Sequence, residues 1–384
     1  MQGLIPRTIV IICLVAQLSG CATSGNVSAF KASKEIDHIT EEEQRLWHES
    51  QDFDKNLKLS GRVYPDKYTT DYLQNIMDTL YPEFEGRIKV KILNDPHLNA
   101  FALPNGSIYI HLGLLSRFEN EAQLATVLAH EGAHFIDKHG LRSRRSTKGA
   151  SAFALATIVV GVPIVGLAAV SSIYGYSQEL ENDADRIGYE RLVKAGYSAQ
   201  ESVKTFEHLA AEVNALEIDE PYFFSTHPKL QERIDNYSEL NKKSAVDGRI
   251  AASEYQQKTR EVRIDSLQAD LSMHRYKSII VALDDKTRQT QYPPEAFYYL
   301  GEAFRLRNDD TDTKQALASY QTALDAAPDF APTHRALGLY YMKQGQDDDA
   351  KKFFANYMRL APEAKDIAFI RNYYNTLEHR GNTQ

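Results

Sequence analysis

The feature that most constrains this chain's fold is the segment His130-Glu131-Gly132-Ala133-His134, which has the pattern H-E-x-x-H. Residues four apart lie on the same face of a helix, so His130 and His134 can present their ring nitrogens to one metal ion. Glu131 lies about 100° further round the helix, where its carboxylate can reach a water on the metal rather than the metal itself. The pattern therefore predicts a helix that carries two metal ligands and a general base.

The residues around this segment predict the limits of the helix. Asn120 is a favourable N-cap, and Gln123 completes a capping-box pattern. We expect Gly140 to end the helix just beyond His139. Because the chain has 12 histidines, an isolated H-E-x-x-H can arise by chance, and the site needs support from other segments.

The N-terminus has the pattern of a targeting signal. Arg7 precedes an apolar run over residues 9–18, and the small residues Ser19 and Gly20 precede Cys21. This order resembles a bacterial lipoprotein signal, which predicts removal of residues 1–20 and attachment of lipid to Cys21. An ordinary signal peptide or an uncleaved anchor are the alternatives. Ala22 follows the cysteine, and the resemblance to lipoprotein sorting then favours the periplasm, with an anchor in the outer membrane.

Charge and cysteine content exclude several classes of function. The formal net charge is −8, so the chain lacks the broad basic surface that a nucleic-acid-binding protein needs. Cys13 would be removed with the signal, and Cys21 would carry lipid. A disulfide-stabilised fold and a cysteine nucleophile are therefore excluded on this interpretation.

A small β-sheet is predicted before the H-E-x-x-H helix. Residues 87–93 alternate polar and apolar side chains, as a half-buried strand does. Residues 99–103 and 107–110 flank the turn Pro104-Asn105-Gly106 and predict a hairpin. A sheet edge beside a metal-binding helix would let an extended peptide pair with it as a further strand.

An uncharged apolar segment at residues 150–173 follows the basic run over residues 141–148. Its length suits a membrane span. However, Pro163 would interrupt a continuous helix, and a single crossing would separate the two histidines from a ligand further along the chain. We therefore favour two short apolar helices that form a hairpin over the site, either as a buried lid or in contact with lipid.

A third metal ligand is expected because a catalytic zinc site usually has three protein ligands and one open position. Glu181 and Asp185 are four residues apart and share a face of the next predicted helix, which Gly196 can end. One carboxylate can bind the metal while the other orients a histidine ring from behind. An acidic helix exposed to solvent is the alternative interpretation.

The segment from His130 to His134, followed by Glu181 and Asp185, resembles the H-E-x-x-H…E-x-x-x-D zinc metallopeptidases. Residues 99–106, and residues 225–228 with Arg233, agree with that family, and the resemblance covers roughly residues 40–240. It implies that His130, His134 and Glu181 bind one Zn2+ per chain. It also implies that Glu131 is the catalytic base and that Asp185 orients a ligand, and it leaves Glu179 and Asp183 as surface charges.

His227 is the remaining candidate, because the family pattern places its Thr-His-Pro segment near the metal. It can donate a hydrogen bond to the oxyanion. Alternatively, it can occupy the open zinc position in a resting state and act as a gate. A histidine that only orders its loop is the third interpretation.

The C-terminal third contains a repeat of 34 residues. Four positions and their counterparts show it: Ala316, Tyr320, Ala323 and Pro328 recur as Ala350, Phe354, Tyr357 and Pro362. This period and these residue types resemble tetratricopeptide repeats, which are helix pairs stacked into a solenoid that binds peptides or protein surfaces. Clear repeats cover residues 292–362, and residues 253–290 resemble a degenerate unit. A plain helical bundle is the alternative.

Together these patterns predict an α+β, mostly helical chain with a zincin-like metallopeptidase domain, a small β-sheet and an all-α repeat domain. The predicted boundaries are 1–20 for the signal peptide, 21–35 for a tether, 36–245 for the metallopeptidase domain and 246–384 for the repeats. The function expected from the resemblance is that of a lipid-anchored periplasmic zinc metalloendopeptidase. It would act on protein or peptide substrates in the quality control or assembly of outer-membrane proteins, with assembly components as partners of the repeats. The alternative is a chaperone-like or scaffold protein that acts mainly through its repeats and cleaves conditionally.

Overall fold

The computed structural model describes residues 27–30, 40–146, 176–217, 227, 230–244, 246–283 and 286–381. The predicted signal peptide, the lipidation site Cys21 and the apolar segment 150–173 lie outside the described residues. Within the described ranges, no helix is long and apolar enough to cross a membrane.

The N-terminal part is a three-stranded sheet surrounded by helices, and the C-terminal part is entirely helical, in agreement with the predicted fold class. The elements of the N-terminal part are α1 (Glu41–Leu59), α2 (Lys67–Leu80), β1 (Lys89–Leu93), β2 (Ala100–Ala102), β3 (Ser107–His111), α3 (Leu112–Arg117), α4 (Glu121–Ile136), α5 (His139–Ser146), α6 (Gln178–Lys194), α7 (Gln200–Leu216) and α8 (Leu230–Ser244). Those of the C-terminal part are α9 (Ala252–Lys258), α10 (Arg260–Ser272), α11 (Tyr276–Ala282), α12 (Lys286–Gln289), α13 (Ala296–Arg307), α14 (Asp312–Ala326), α15 (Ala331–Lys343), α16 (Asp347–Leu360) and α17 (Ile367–Gly381).

The sheet has the strand order β1-β3-β2, and it confirms the predicted hairpin. β2 pairs antiparallel with β3, whereas β1 pairs parallel with β3 on the other side. Gly106 closes the hairpin with a φ of +87°, and a Cβ atom there would lie 2.4 Å from the carbonyl oxygen of Arg87. A side chain at this turn would therefore both strain the backbone and collide with it.

The two faces of the hairpin pack against different helices. Ala100 and Ala102 of β2 lie in the main core, against which α4 packs. Phe101 points to the opposite face, where it lies 6.2 Å from the Phe53 ring of α1. The small alanine side chains let the sheet approach α4 closely, so the edge strand lies beside the predicted metal-binding helix.

Helix α4 begins where the sequence predicts but ends earlier. The Asn120 side chain accepts a hydrogen bond from the Gln123 amide at 3.0 Å, which confirms the N-cap. The Gln123 side chain reaches the amide of Glu119 (2.9 Å) instead of the N-cap residue itself. All sixteen residues of the helix are buried, so it forms the centre of the core.

The prediction that Gly140 ends this helix is wrong. Ile136 is the last helical residue, Lys138 adopts a left-handed φ of 51°, and Gly140 lies inside α5. The reason is an ion pair across the fold, in which Lys138 Nζ lies 2.6 Å from Glu43 Oε1 of α1. A lysine thus occupies the turn conformation usually taken by glycine, because its ammonium group is held from the other side.

The C-terminal helices pair in a repeated way. α13 packs on α14, and α15 packs on α16. A Cβ atom on Gly301 would lie 2.4 Å from the Tyr320 ring, and one on Gly338 would lie 2.5 Å from the Phe354 ring. The same glycine-to-aromatic contact therefore occurs in both helix pairs. This regularity is consistent with repeats, and the tetratricopeptide assignment stays a prediction.

Buried arginines join the C-terminal helices to the N-terminal part. Arg263 of α10 donates hydrogen bonds to the carbonyl oxygens of Ser116 (2.8 Å) and Phe118 (2.6 Å) at the end of α3. In the other direction, Arg117 Nη2 lies 3.2 Å from Asp270 Oδ2 of α10. Since α3 continues directly from β3, these bonds fix the C-terminal helices to the sheet.

Candidate metal centre

Helices α4 and α6 bring the three predicted ligands together in the protein interior. The Nε2 atoms of His130 and His134 are 2.9 Å apart. The carboxylate of Glu181 lies 3.3 Å from His130 Nε2 through Oε2, and 3.5 Å from His134 Nε2 through Oε1. All three side chains are buried.

A glycine allows the two helices to meet this closely. Gly188 of α6 faces His130, and a Cβ atom there would lie 3.0 Å from the His130 backbone nitrogen and 3.1 Å from the Ala129 carbonyl carbon. Neither backbone atom can move without distorting α4. Gly188 therefore sets the helix separation that brings Glu181 to the histidines.

His227 completes a group of four buried donors. Its Nδ1 lies 2.9 Å from Glu181 Oε1 and 3.3 Å from His130 Nε2. Donor atoms of His130, His134, Glu181 and His227 all lie within 4.8 Å of one another. His227 therefore lies close enough to the three predicted ligands to share one ion with them.

The donor set fits a zinc ion. Imidazole nitrogens and a carboxylate oxygen are ligands that zinc prefers, and four donors suit its tetrahedral geometry. Burial opposes the ionisation of Glu181, but the neighbouring imidazoles, above all that of His227, hold its pKa well below the usual value. The carboxylate is thus kept in the charged form that binds a cation.

Glu131 lies beside the donors in a position suited to a base. Its side chain is fully buried, and neither carboxylate oxygen has a hydrogen-bond partner among the residues that the structure describes. The Nε2 atom of His227 is 3.5 Å from Glu131 Oε1, which is too long for a strong hydrogen bond. A buried carboxylate rarely lacks a donor, so the partner of Glu131 is expected to be water or substrate.

Asp185 lies behind the ring of His130, on the side away from the other donors. Its Oδ1 atom is 2.9 Å from His130 Nδ1, and Arg233 Nη2 lies 2.7 Å from the same oxygen. Burial opposes the ionisation of Asp185, but the charge of Arg233 lowers its pKa and keeps it anionic. Arg233 Nη2 also lies 2.8 Å from His130 Nδ1, so the carboxylate and the guanidinium hold this side of the ring and leave Nε2 to face the metal.

Three further side chains shape the centre, and the sequence alone assigned none of them a role. Arg233 is fully buried, and its guanidinium carbon lies 4.1 Å from the centre of the Phe206 ring. Tyr176 stacks on His134, with ring centroids 3.9 Å apart and planes within 14°. His139 Nδ1 lies 2.9 Å from His134 Nδ1. For the contact between His139 and His134, the sequence offered one signal, a third histidine five residues after His134.

The remaining acidic residues of α6 lie away from the four donors. Glu179 is exposed, as expected for a surface charge. Asp183 is partly buried, and its Oδ2 lies 3.7 Å from Arg142 Nη2.

Comparison with known proteins supports the same chemistry. Residues 67–241 match peptidase family M48. The chain is 34% identical over 200 residues to a putative beta-barrel assembly-enhancing protease of Vibrio cholerae, across 48% of this chain and 41% of that protein. It is 32% identical over 162 residues to the mitochondrial metalloendopeptidase OMA1 of Saccharomyces cerevisiae, across 39% of this chain and 46% of that protein. It is 29% identical over 157 residues to the beta-barrel assembly-enhancing protease of Escherichia coli, across 37% and 32%. The matched segments thus span less than half of each of these relatives.

The role of Glu181 can be tested against its neighbour Glu179. We expect Glu181→Ala to lose stoichiometric zinc, because Glu181 is the one anionic donor of the four and the three remaining imidazoles carry no negative charge to balance the cation. Glu179→Ala, which changes an exposed carboxylate two residues away, should keep one zinc per chain. Metal content of the purified proteins, measured by atomic absorption, gives the answer. Full zinc occupancy in Glu181→Ala would place the third ligand elsewhere.

Proposed function

Because residues 67–241 match peptidase family M48, we propose that the chain is a zinc metalloendopeptidase that hydrolyses peptide bonds in protein substrates. The observation that carries this proposal is the buried carboxylate of Glu131, which has no hydrogen-bond partner among the described residues and lies beside four converging donors. When bound by His130, His134 and Glu181, zinc would polarise the scissile carbonyl and acidify water at the site.

The protein side chains supply the proton transfers. Glu131 accepts a proton from the attacking water and later delivers it to the leaving amine. Its burial favours this role, because few solvent molecules compete for its oxygens. Asp185 and Arg233 both contact His130 at Nδ1, so that the ring orientation does not change during the reaction.

The edge of the sheet supports binding of an extended substrate. The amide of His111 donates to the carbonyl of Asn99, and the amide of Leu103 donates to the carbonyl of Ser107. In an antiparallel ladder, the residues between such pairs, Ala100 and Ala102, direct their backbone groups to the outer edge. Ala102 and His134 line the same small cavity, so this edge lies next to the metal centre. A peptide paired with β2 would therefore pass close to the catalytic groups.

We further propose that His227 keeps the enzyme in a resting state. The four donors and Glu131 are buried, and Tyr176 covers the face of the His134 ring. A peptide carbonyl has to take the place of a ligand to reach the site. Withdrawal of His227 is the smallest change that would open one position while leaving His130, His134 and Glu181 in place. The oxyanion role is the alternative for the same residue.

The cellular role is proposed from the sequence of the N-terminus and from the relatives. The signal pattern supports a lipid anchor on Cys21 and a periplasmic location at the outer membrane. Two of the relatives named above are beta-barrel assembly-enhancing proteases, which supports a role in outer-membrane protein assembly or quality control. The paired C-terminal helices would recruit substrates or assembly components. The closed site also favours a second candidate, a binding protein that cleaves only under particular conditions.

The catalytic base can be tested without loss of the metal. We expect Glu131→Gln to retain zinc but to reduce cleavage of an unfolded protein substrate by about 10²–10⁴-fold, because the proton acceptor is lost. Glu179→Gln, an equal change at an exposed position, should cleave like the wild type. Cleavage is followed by gel electrophoresis and mass spectrometry. Wild-type activity in Glu131→Gln would show that the proposed mechanism is wrong.

The gate is tested by removing the fourth ligand. His227→Ala should raise the initial rate of cleavage, because a zinc position becomes open to substrate. Zinc content and initial rate are measured on the same samples, and the double variant His227→Ala/Glu131→Gln serves as the control that ties the activity to this centre. A loss of activity with zinc retained would contradict the gate and assign His227 to the oxyanion.

The lipid anchor is tested by fractionation of cells. Cys21→Ala should move the protein from the membrane fraction to the soluble periplasmic fraction, because no lipid can be attached. Cys13→Ala, within the predicted signal, should leave the protein in the membrane fraction. Retention of Cys21→Ala in the membrane fraction would place the anchor elsewhere in the chain.

A further inference from the structure

We propose that His139 is a positioning residue for the metal centre, because it holds the ring of His134 through a hydrogen bond and connects it to Asp137. The proposal rests on zinc binding by His134, which is part of the proposed function. It assigns His139 a place behind the ligand rather than on the metal itself.

Once His134 binds the metal through Nε2, the contacts among His134, His139 and Asp137 fix which atom donates each hydrogen bond. The two Nδ1 atoms of His134 and His139 are 2.9 Å apart, and only one of them can carry the proton between them. If His134 binds the metal through Nε2, its Nδ1 carries the proton and donates it. His139 then accepts at Nδ1 and carries its own proton on Nε2, which lies 2.9 Å from Asp137 Oδ2. His139 thus has a partner at each ring nitrogen, which fixes the orientation of its ring.

Arg142 holds Asp137, which is the last residue in this series of hydrogen bonds. Asp137 Oδ2 also accepts a hydrogen bond from Arg142 Nη1, and Arg142 Nη2 lies 3.7 Å from Asp183 Oδ2. Burial opposes the ionisation of Asp137, but the bond from His139 and the charge of Arg142 lower its pKa. The Arg142 guanidinium contacts both carboxylates and supplies positive charge beside them.

The two α4 ligands are thus oriented in different ways. His130 contacts the carboxylate of Asp185 directly, at 2.9 Å. On its Nδ1 side, His134 reaches the carboxylate of Asp137 through the ring of His139. A carboxylate in direct contact increases the basicity of a ligand most strongly. His139 therefore fixes the orientation of the His134 ring. It also keeps the negative charge of Asp137 further from the metal than that of Asp185, by the width of one imidazole ring.

The backbone turn at Lys138 makes the contact possible. On a continuous helix, a residue five positions after His134 would point about 140° away from it. Lys138 instead adopts a φ of 51°, which ends α4 and returns the His139 ring to His134. The Lys138 ammonium is held by Glu43 at 2.6 Å and lies 4.2 Å from the centre of the Phe30 ring. A left-handed lysine held by its side chain in this way is the feature that places His139.

Two amide variants of His139 test whether the position of the hydrogen-bond acceptor matters, because both variants keep a polar side chain. His139→Asn places an oxygen near the Nδ1 position, whereas His139→Gln places one near Nε2. We expect zinc affinity, measured by competition with a chromophoric chelator, to fall about 10–100-fold in His139→Gln. His139→Asn should stay within a few-fold of the wild type. The visible spectrum of the Co2+-substituted protein should change in the same order, because it reports ligand geometry.

The controls distinguish positioning from general stability. His334→Gln removes another buried histidine, which contacts the Pro328 carbonyl in the C-terminal helices, and should leave zinc affinity unchanged. Thermal unfolding of each metal-free variant shows whether it is folded. Should His139→Gln fail to fold, Asp137→Asn tests the same chain of bonds, and an unchanged zinc affinity there would overturn the proposal.

Different results would contradict the positioning role of His139 and the peptidase function. Equal zinc affinities and equal cobalt spectra in the Asn and Gln variants would overturn the positioning role, as would an equal loss in both. A wild-type protein that binds zinc and shows the predicted order of variants, but cleaves no protein, would overturn the peptidase proposal and leave the role of His139 supported.

Discussion

The metal centre depends on one close crossing, the contact of α6 with α4 at Gly188. The crossing places a carboxylate from one helix against two imidazoles from the other, and all three side chains are buried. Several buried ionisable groups in such a space are costly unless opposite charges or a metal compensate them. The surrounding residues supply part of this compensation, since Asp185 is paired with Arg233 and Asp137 with Arg142. The remaining donors all face one point, which is where a cation would balance them.

The sequence predicted the parts of this centre that follow from local spacing. The four-residue intervals placed His130 with His134 and Glu181 with Asp185, because helix geometry alone relates such pairs. The hairpin followed from alternation and turn residues. The roles of Arg233 and Tyr176 did not follow, because their contacts arise where separate elements pack. The end of α4 was misplaced at Gly140 for the same reason, since the ion pair between Lys138 and Glu43 joins residues far apart in the sequence.

The sheet and the C-terminal helices are connected more tightly than a flexible linker would allow. Arg263 and Arg117 bind across the junction at α3, which follows β3 without a loop. β3 in turn pairs with β2, the edge strand beside the metal centre. A protein bound by the C-terminal helices would therefore meet the catalytic part at a defined distance and angle.

The burial of all four donors also has a kinetic consequence. Solvent has little access to a metal ion held by these four donors, each at most 5% exposed, so it cannot readily replace them as ligands. Loading and release then require a local opening of the structure, and their rates follow the free energy of that opening. A chain that folds around zinc would keep it for as long as the core stays closed. Whether a molecule holds zinc would thus depend on the zinc concentration at the time it folds. Later changes in the zinc concentration around the protein would have little effect.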